Sequence, residues 1–181
     1  LEACENYQKQ TYRNRAYILS SQQVDRLTVP VIKGSSKTPY AALKLDNSQA
    51  WASSHWHAIC TAYGKAPFFT YLADPLHAIL LRRHTCLFEL NLQLLQACLQ
   101  LLQWKKNIEL STSYEKTPMG HVVDARATIL PGKPLMQDDH YQTAKYQQVF
   151  GRRFHLNLGI IDLLFCKGGA SHAILQKLAE R

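Results

Sequence analysis

Hydrophobic and polar residues change rhythm several times along the chain, and each change marks an element. Residues 13–19 and 26–32 are rich in β-branched, aromatic and aliphatic side chains and flank the polar stretch SSQQVD. This predicts two strands paired antiparallel. Pro30 has no N–H for a ladder, so the second strand is expected at an edge, or bulged at that point. Residues 34–39 read as a loop, followed by a short apolar return over 41–45. From Gln49 the period lengthens. Trp51, His55, Ile59 and Ala62 fall near one helical face, with Asn47 or Ser48 as cap and Gly64 as the end. Asp74-Pro75 reads as an N-cap acid followed by a first-turn proline, which predicts a second helix over 74–84. A third is predicted over 87–104, where leucines spread nearly all round suggest a central helix covered on more than one side.

The second half is less regular. Residues 107–112 predict a strand. Residues 113–145 hold three prolines and few apolar anchors, the mark of a long functional or mobile loop in which only 121–130 looks weakly helical. Order returns with the apolar run 158–165, a break at Gly168-Gly169 and a last helix capped by Ser171 and ending near Arg181. The sum is an α/β (or α+β) fold: a single domain over residues 1–181, with a small mixed sheet packed against several helices. The chain opens on Leu1 with neither the basic nor the apolar region of a signal peptide, and native residues are expected to precede it.

Composition narrows the class. At 46% hydrophobic and 19% charged, the chain is globular rather than disordered. No apolar run reaches the roughly 20 residues that span a bilayer; the most apolar, 87–104, is interrupted by Glu89, Asn91 and four glutamines. Five widely spaced cysteines form neither a disulfide framework nor a zinc pattern, so reduced thiols and a cytoplasmic location are expected. A net charge of +8 favours anionic partners: a nucleotide sugar, a phosphorylated glycan precursor, nucleic acid or an acidic membrane surface. Basic residues cluster only in pairs such as Arg82-Arg83 and Lys105-Lys106, so no dedicated nucleic-acid arm is evident. No nucleophile elbow, GxGxxG or P-loop is present, and the sequence names no cofactor.

Candidate chemistry gathers in the first third. On a strand over 13–19, Arg13 and Arg15 leave the same face and could clamp a phosphate or carboxylate, with Asn14 pointing the other way. The alternative is a pair of solvated charges. His55 shares the inward face with Trp51 and Ile59, where a neutral imidazole could take a proton from an attacking amine or hydroxyl; a buried histidine with a purely structural bond fits the same position. Lys65, after Tyr63-Gly64, either neutralises the helix end or joins the two arginines as a third cation. Asp162, an acid within IIDLLF, needs a partner such as an arginine or a backbone amide and reads as a structural anchor or a binding group. His121, Asp124, Asp138, Asp139, His140 and His155 match no metal-ligand spacing, and no metal is expected.

Three blocks, TYRNRAYI with LTVPV, then NSQAWASSHWHAICTAYGKAPFF, then YQQVF with NLGIIDLLFCKGG, resemble the WbqC-like family in order and spacing. The resemblance implies a role in O-antigen-like surface polysaccharide, with transfer of glycine or another acyl group to an activated sugar as the suggested reaction. It brings Trp56 and Tyr63 of the middle block into the candidate site beside His55 as catalytic base. Where many family members carry a GATxYLSG-like strand and loop, this chain reads EKTPMGHVVDARATILPGKPL after Tyr114. That departure leaves room for a non-catalytic partner subunit. A second alternative is a nucleic-acid binding module using Tyr12, Tyr17 and Trp56 as stacking groups.

Overall fold

In the computed structural model, the described residues are 1–32, 37–117, 120, 122–126, 128–132, 144–151 and 153–179. The chain starts with the hairpin of β1 (Arg15–Leu19) and β2 (Val24–Thr28), antiparallel and in the register Arg15 opposite Thr28, Tyr17 opposite Arg26. A tight turn closes it, with the Ser20 N–H donating to the Gln23 carbonyl at 2.9 Å. Both strands are shorter than expected. Arg13 lies in a turn ahead of β1, and β2 ends two residues before Pro30, which sits where no ladder bond is required. A 3-10 turn at Tyr40–Ala42 and isolated bridges joining Val31 to Leu45 and Lys44 to Cys86 tie the following segment to the core. The fold is mixed α and β in one unit, as expected; the sheet itself is this antiparallel ribbon.

Helix α1 spans Trp51–Tyr63. Its cap position is Ala50, without a side-chain cap bond. Asn47 does other work: its amide donates to the His84 carbonyl at 2.7 Å and accepts the Trp51 indole N–H at 3.1 Å. Helix α2 runs Phe69–Leu81 and so starts before Asp74, leaving Pro75 in its interior. The missing N–H would have bonded the Tyr71 carbonyl, and both residues are exposed, so water can satisfy that carbonyl. The expected first-turn role of Pro75 is thereby overturned. Helix α3 (Leu87–Leu101) buries Leu87, Phe88, Leu90, Ala97 and Cys98 and packs on α2, on the Tyr40 turn and on α4, a central helix as its leucines predict.

Residues 107–112 form no strand; instead the Ser111 N–H donates to the Leu1 carbonyl at 3.0 Å and its hydroxyl holds Ala3 and Glu2. The described part of 121–130 contains turns and no helix, and Val122, Val123 and Ile129 there are left exposed without a surface to pack on. The apolar run near the end is a helix, α4 (Ile160–Lys167), followed by α5 (Ala170–Ala179). Gly168 joins them at φ +52°, and a Cβ there would stand 2.4 Å from the Phe68 ring, so only glycine fits. Ser171 lies inside α5 rather than at its cap and donates its hydroxyl to the Leu163 carbonyl at 3.2 Å.

The core lies where α1, α2, α3 and α4 meet behind the hairpin. Tyr63, Phe165, Ile18, Leu43, Leu87, Leu90 and Leu164 are all fully buried there. Among the described residues no helix is long and apolar enough to cross a membrane.

Candidate functional site

The hairpin presents Arg15 and Thr28 as a directly opposed cross-strand pair, which places both side chains on one face. Helix α1 packs against β1 and brings His55 to Thr28, the cross-strand partner of Arg15, whose backbone is its hydrogen-bond partner. Burial holds the imidazole below its ordinary pKa, and the bond to Thr28 only partly opposes this. The ring is therefore neutral near pH 7. A neutral ring that donates to a carbonyl from one nitrogen carries a lone pair on the other, the requirement for a general base. Trp51, one turn earlier, meets the ring edge to face at a centroid distance of 5.4 Å and fixes its plane.

Three polar atoms of this region are buried without a partner: Arg15 Nε, Thr28 Oγ1 and Asn14 Oδ1. Orphaned buried donors and acceptors are costly in a folded protein unless something outside the chain completes them. Asn14 is itself buried and uses its amide on the Val29 carbonyl at 3.1 Å, so it supports the strand ends. Tyr7 lies close enough to Arg15 and Arg13 to feel both charges, yet burial raises its hydroxyl above the usual phenol value.

Arg13 does not stand beside Arg15 as a free cation. Its guanidinium pairs with Glu5, Nε donating at 2.8 Å, in a largely buried ion pair, and the Asn91 amide of α3 donates to its backbone carbonyl. Glu5 lies in the aperiodic start of the chain, so no pattern announces the pairing. Lys65 is exposed in the turn after α1, ten positions past His55. That is about 15 Å along the helix axis from His55, at the opposite end of α1. Trp56 leaves α1 toward α2, stacked on Phe69 at 6.1 Å and tilted on His77 at 4.5 Å. It is a packing residue between two helices. Tyr12 and Tyr17 meet edge to face at 5.9 Å and are half-buried, a poor platform for bases.

Tyr63 and Asp162 come together elsewhere, in the interior. Asp162, in the first turn of α4, is fully buried and accepts from the Tyr146 hydroxyl at 2.6 Å and the Gln148 amide at 3.0 Å. The Tyr63 hydroxyl faces the same carboxylate and also accepts the Leu19 N–H at 3.2 Å. Asp162 Oδ1 still lacks a bond of ordinary geometry. Burial, reinforced by the carboxylate, raises both tyrosines well above the phenol range and pushes the Cys166 thiol up to about 12. These groups are inert at neutral pH, and the partners are hydroxyls and an amide where an arginine or a backbone amide was expected.

Among the described residues no three of His, Cys, Asp and Glu stand close enough to hold a metal ion. Asp124 is occupied by Arg126, whose guanidinium donates at 2.6 and 2.8 Å and holds the carboxyl down at about 2. The His155 backbone exchanges two bonds with the Gln148 amide. His121, Asp138, Asp139 and His140 lie outside the described residues.

Comparison with known proteins bears on the chain as a whole. An uncharacterized protein of Mycobacterium tuberculosis, Rv1507c, is 36% identical over 111 residues, 60% of this chain and 48% of that protein. The chain thus spans about half the length of the curated relative it matches. No solved structure matches. The model of the WbqC-like protein family matches residues 1–129, which contain the hairpin, α1, α2, α3 and every residue of the Arg15–His55 face. The chain belongs to the WbqC-like protein family.

Proposed function

We propose that this protein is a transferase of bacterial surface-polysaccharide assembly, attaching an acyl or aminoacyl group such as glycyl to an activated sugar. Arg15 holds an anionic group of the substrate, a sugar-nucleotide phosphate or a carboxylate. His55 takes the proton from the sugar amine or hydroxyl as that atom attacks the acyl carbonyl; the new C–N or C–O bond forms as the donor's leaving group departs with its electron pair. The observation that carries this reading is a buried Arg15 Nε without a partner, whose cross-strand neighbour Thr28 is the backbone contact of a neutral His55. Family membership supports the context. The net charge of +8 suits an anionic substrate drawn to the face, and it is also what a nucleic-acid module would need.

The test is a thermal-shift screen of the protein against nucleotide sugars, activated glycine donors and short RNA, at low and high salt. A salt-tolerant shift with a nucleotide sugar is expected, and Arg15→Met should erase it while leaving the unliganded melting temperature within a few degrees. With the substrate so found, His55→Ala is expected to lower turnover by about 10²-fold or more, the usual contribution of a general base. A shift with RNA alone that vanishes at high salt would replace this reading with the binding module.

A further inference from the structure

Helix α3 ends in a capping motif that normally calls for glycine. The Trp104 N–H donates to the Leu99 carbonyl and the Gln103 N–H to the Gln100 carbonyl, each at 2.9 Å, the bond pair of a Schellman motif. The residue between cap and exit, Gln103, sits at φ +54°. Glycine takes that conformation without strain and glutamine does not. A side chain retained against such a preference has a use, and Gln103 lines a groove of about 1020 Å³.

The groove sets amides and ammonium groups around an apolar floor of Leu99, Trp104 and Ile108. Gln96 and Gln100 are exposed one turn apart on α3, Gln103 follows at the turn beyond its end, and Trp104, Lys105 and Lys106 close the groove. No lining residue is acidic. Each glutamine amide offers two donors and an acceptor that takes two bonds, a match for neighbouring hydroxyls that both give and accept. The Trp104 indole is held from one side by Lys106, whose Nζ lies 5.2 Å from the ring centroid, and by His172 at 6.0 Å. With its ring so engaged, Trp104 serves as a wall rather than as a stacking shelf for bases.

We infer that this groove is a binding site for an acidic saccharide, its hydroxyls read by the three glutamines and its carboxylates met by Lys105 and Lys106. None of its residues belongs to the Arg15–His55 face, and the inference stands apart from the reaction proposed there.

The experiment is calorimetric titration of the full chain with trigalacturonic acid, maltotriose and a short oligouridylate. Trigalacturonate is expected to bind saturably, and at least tenfold more tightly than neutral maltotriose. Gln103→Gly is expected to raise the melting temperature, because the strain is removed, and yet to weaken trigalacturonate at least fivefold. Gln100→Ala, an exposed change that leaves the fold intact, should weaken it similarly, and His55→Ala should leave it unchanged. The inference is overturned if trigalacturonate does not bind, if both glutamine variants bind it like the parent, or if oligouridylate binds more tightly. Loss of binding in His55→Ala would also overturn it, by placing the ligand at the other face.

Discussion

Two parts of this molecule put polar groups where water is scarce, and they treat them differently. Around Asp162 the side chain is fully buried and met by Tyr146 and Gln148 from one segment and by Tyr63 at the end of α1. Around Arg15 and His55 burial is only partial, and Arg15 Nε and Thr28 Oγ1 find no partner. The first arrangement binds segments of the chain to one another through Asp162 Oδ2, while Oδ1 stays unbonded in a fully enclosed place; the second leaves its unbonded atoms on side chains that solvent partly reaches. Since both keep an orphaned atom, it is access that separates a group that holds the fold from one placed for a ligand: Asp162 is fully enclosed, and Arg15 and His55 are only partly so.

Removing the interior carboxylate tests that contrast most severely. Asp162→Ala strands the Tyr146 hydroxyl and the Gln148 amide, and should cost about 3 kcal/mol in urea unfolding, from unsatisfied donors plus the void. A loss below about 1 kcal/mol would mean the network is no anchor, and the contrast would fail. The effect at His55 is smaller and depends on pH. Its folded pKa is depressed, so the unfolded chain binds the proton more readily and stability rises with pH across that interval. The contribution is complete above pH 6.5 and is lost as pH falls through the folded value. Stability measured from pH 7 to 5 should decline less in His55→Gln than in the parent; equal declines would show that burial of the ring is not what sets its charge. Smallest of all is Lys65. Exposed and at the opposite end of α1 from His55, Lys65→Ala should leave both stability, within about 0.5 kcal/mol, and ligand-induced thermal shifts unaltered. A lost shift would bring Lys65 back to the anion.

What the sequence made legible follows from how local each signal is. The hairpin, α1 and the centrality of α3 rest on alternation and helical spacing, which a short window contains. The start of α2 was obscured by Asp74-Pro75, a pair that imitates a helix start, because tolerance of an interior proline depends on which carbonyl it frees and whether water reaches it. The apolar run 158–165 showed burial without declaring a helix, since so short a run lacks a full amphipathic period. At the proposed site, Arg15 and His55 stand out in the sequence by residue type and spacing. The neutralisation of Arg13 by Glu5, and the gathering of Tyr146 and Gln148 on Asp162, join segments without regular structure, so no periodicity could reveal them. Trp56 was assigned to a binding face by its place in a motif, while its packing on Phe69 and His77 depends on where α2 begins.

The Tyr63 hydroxyl has a kinetic consequence. It accepts the N–H of Leu19, the last residue of β1, and lies against the carboxylate of α4, so a single phenol at the end of α1 joins three parts of the chain far apart in sequence. The Leu19 amide is thus shielded by a contact that exists only while α1 is docked on the hairpin, unlike its neighbours in the ladder. In hydrogen–deuterium exchange it becomes a clock for the docking and release of α1 on the hairpin, distinct from the fraying of the ladder itself.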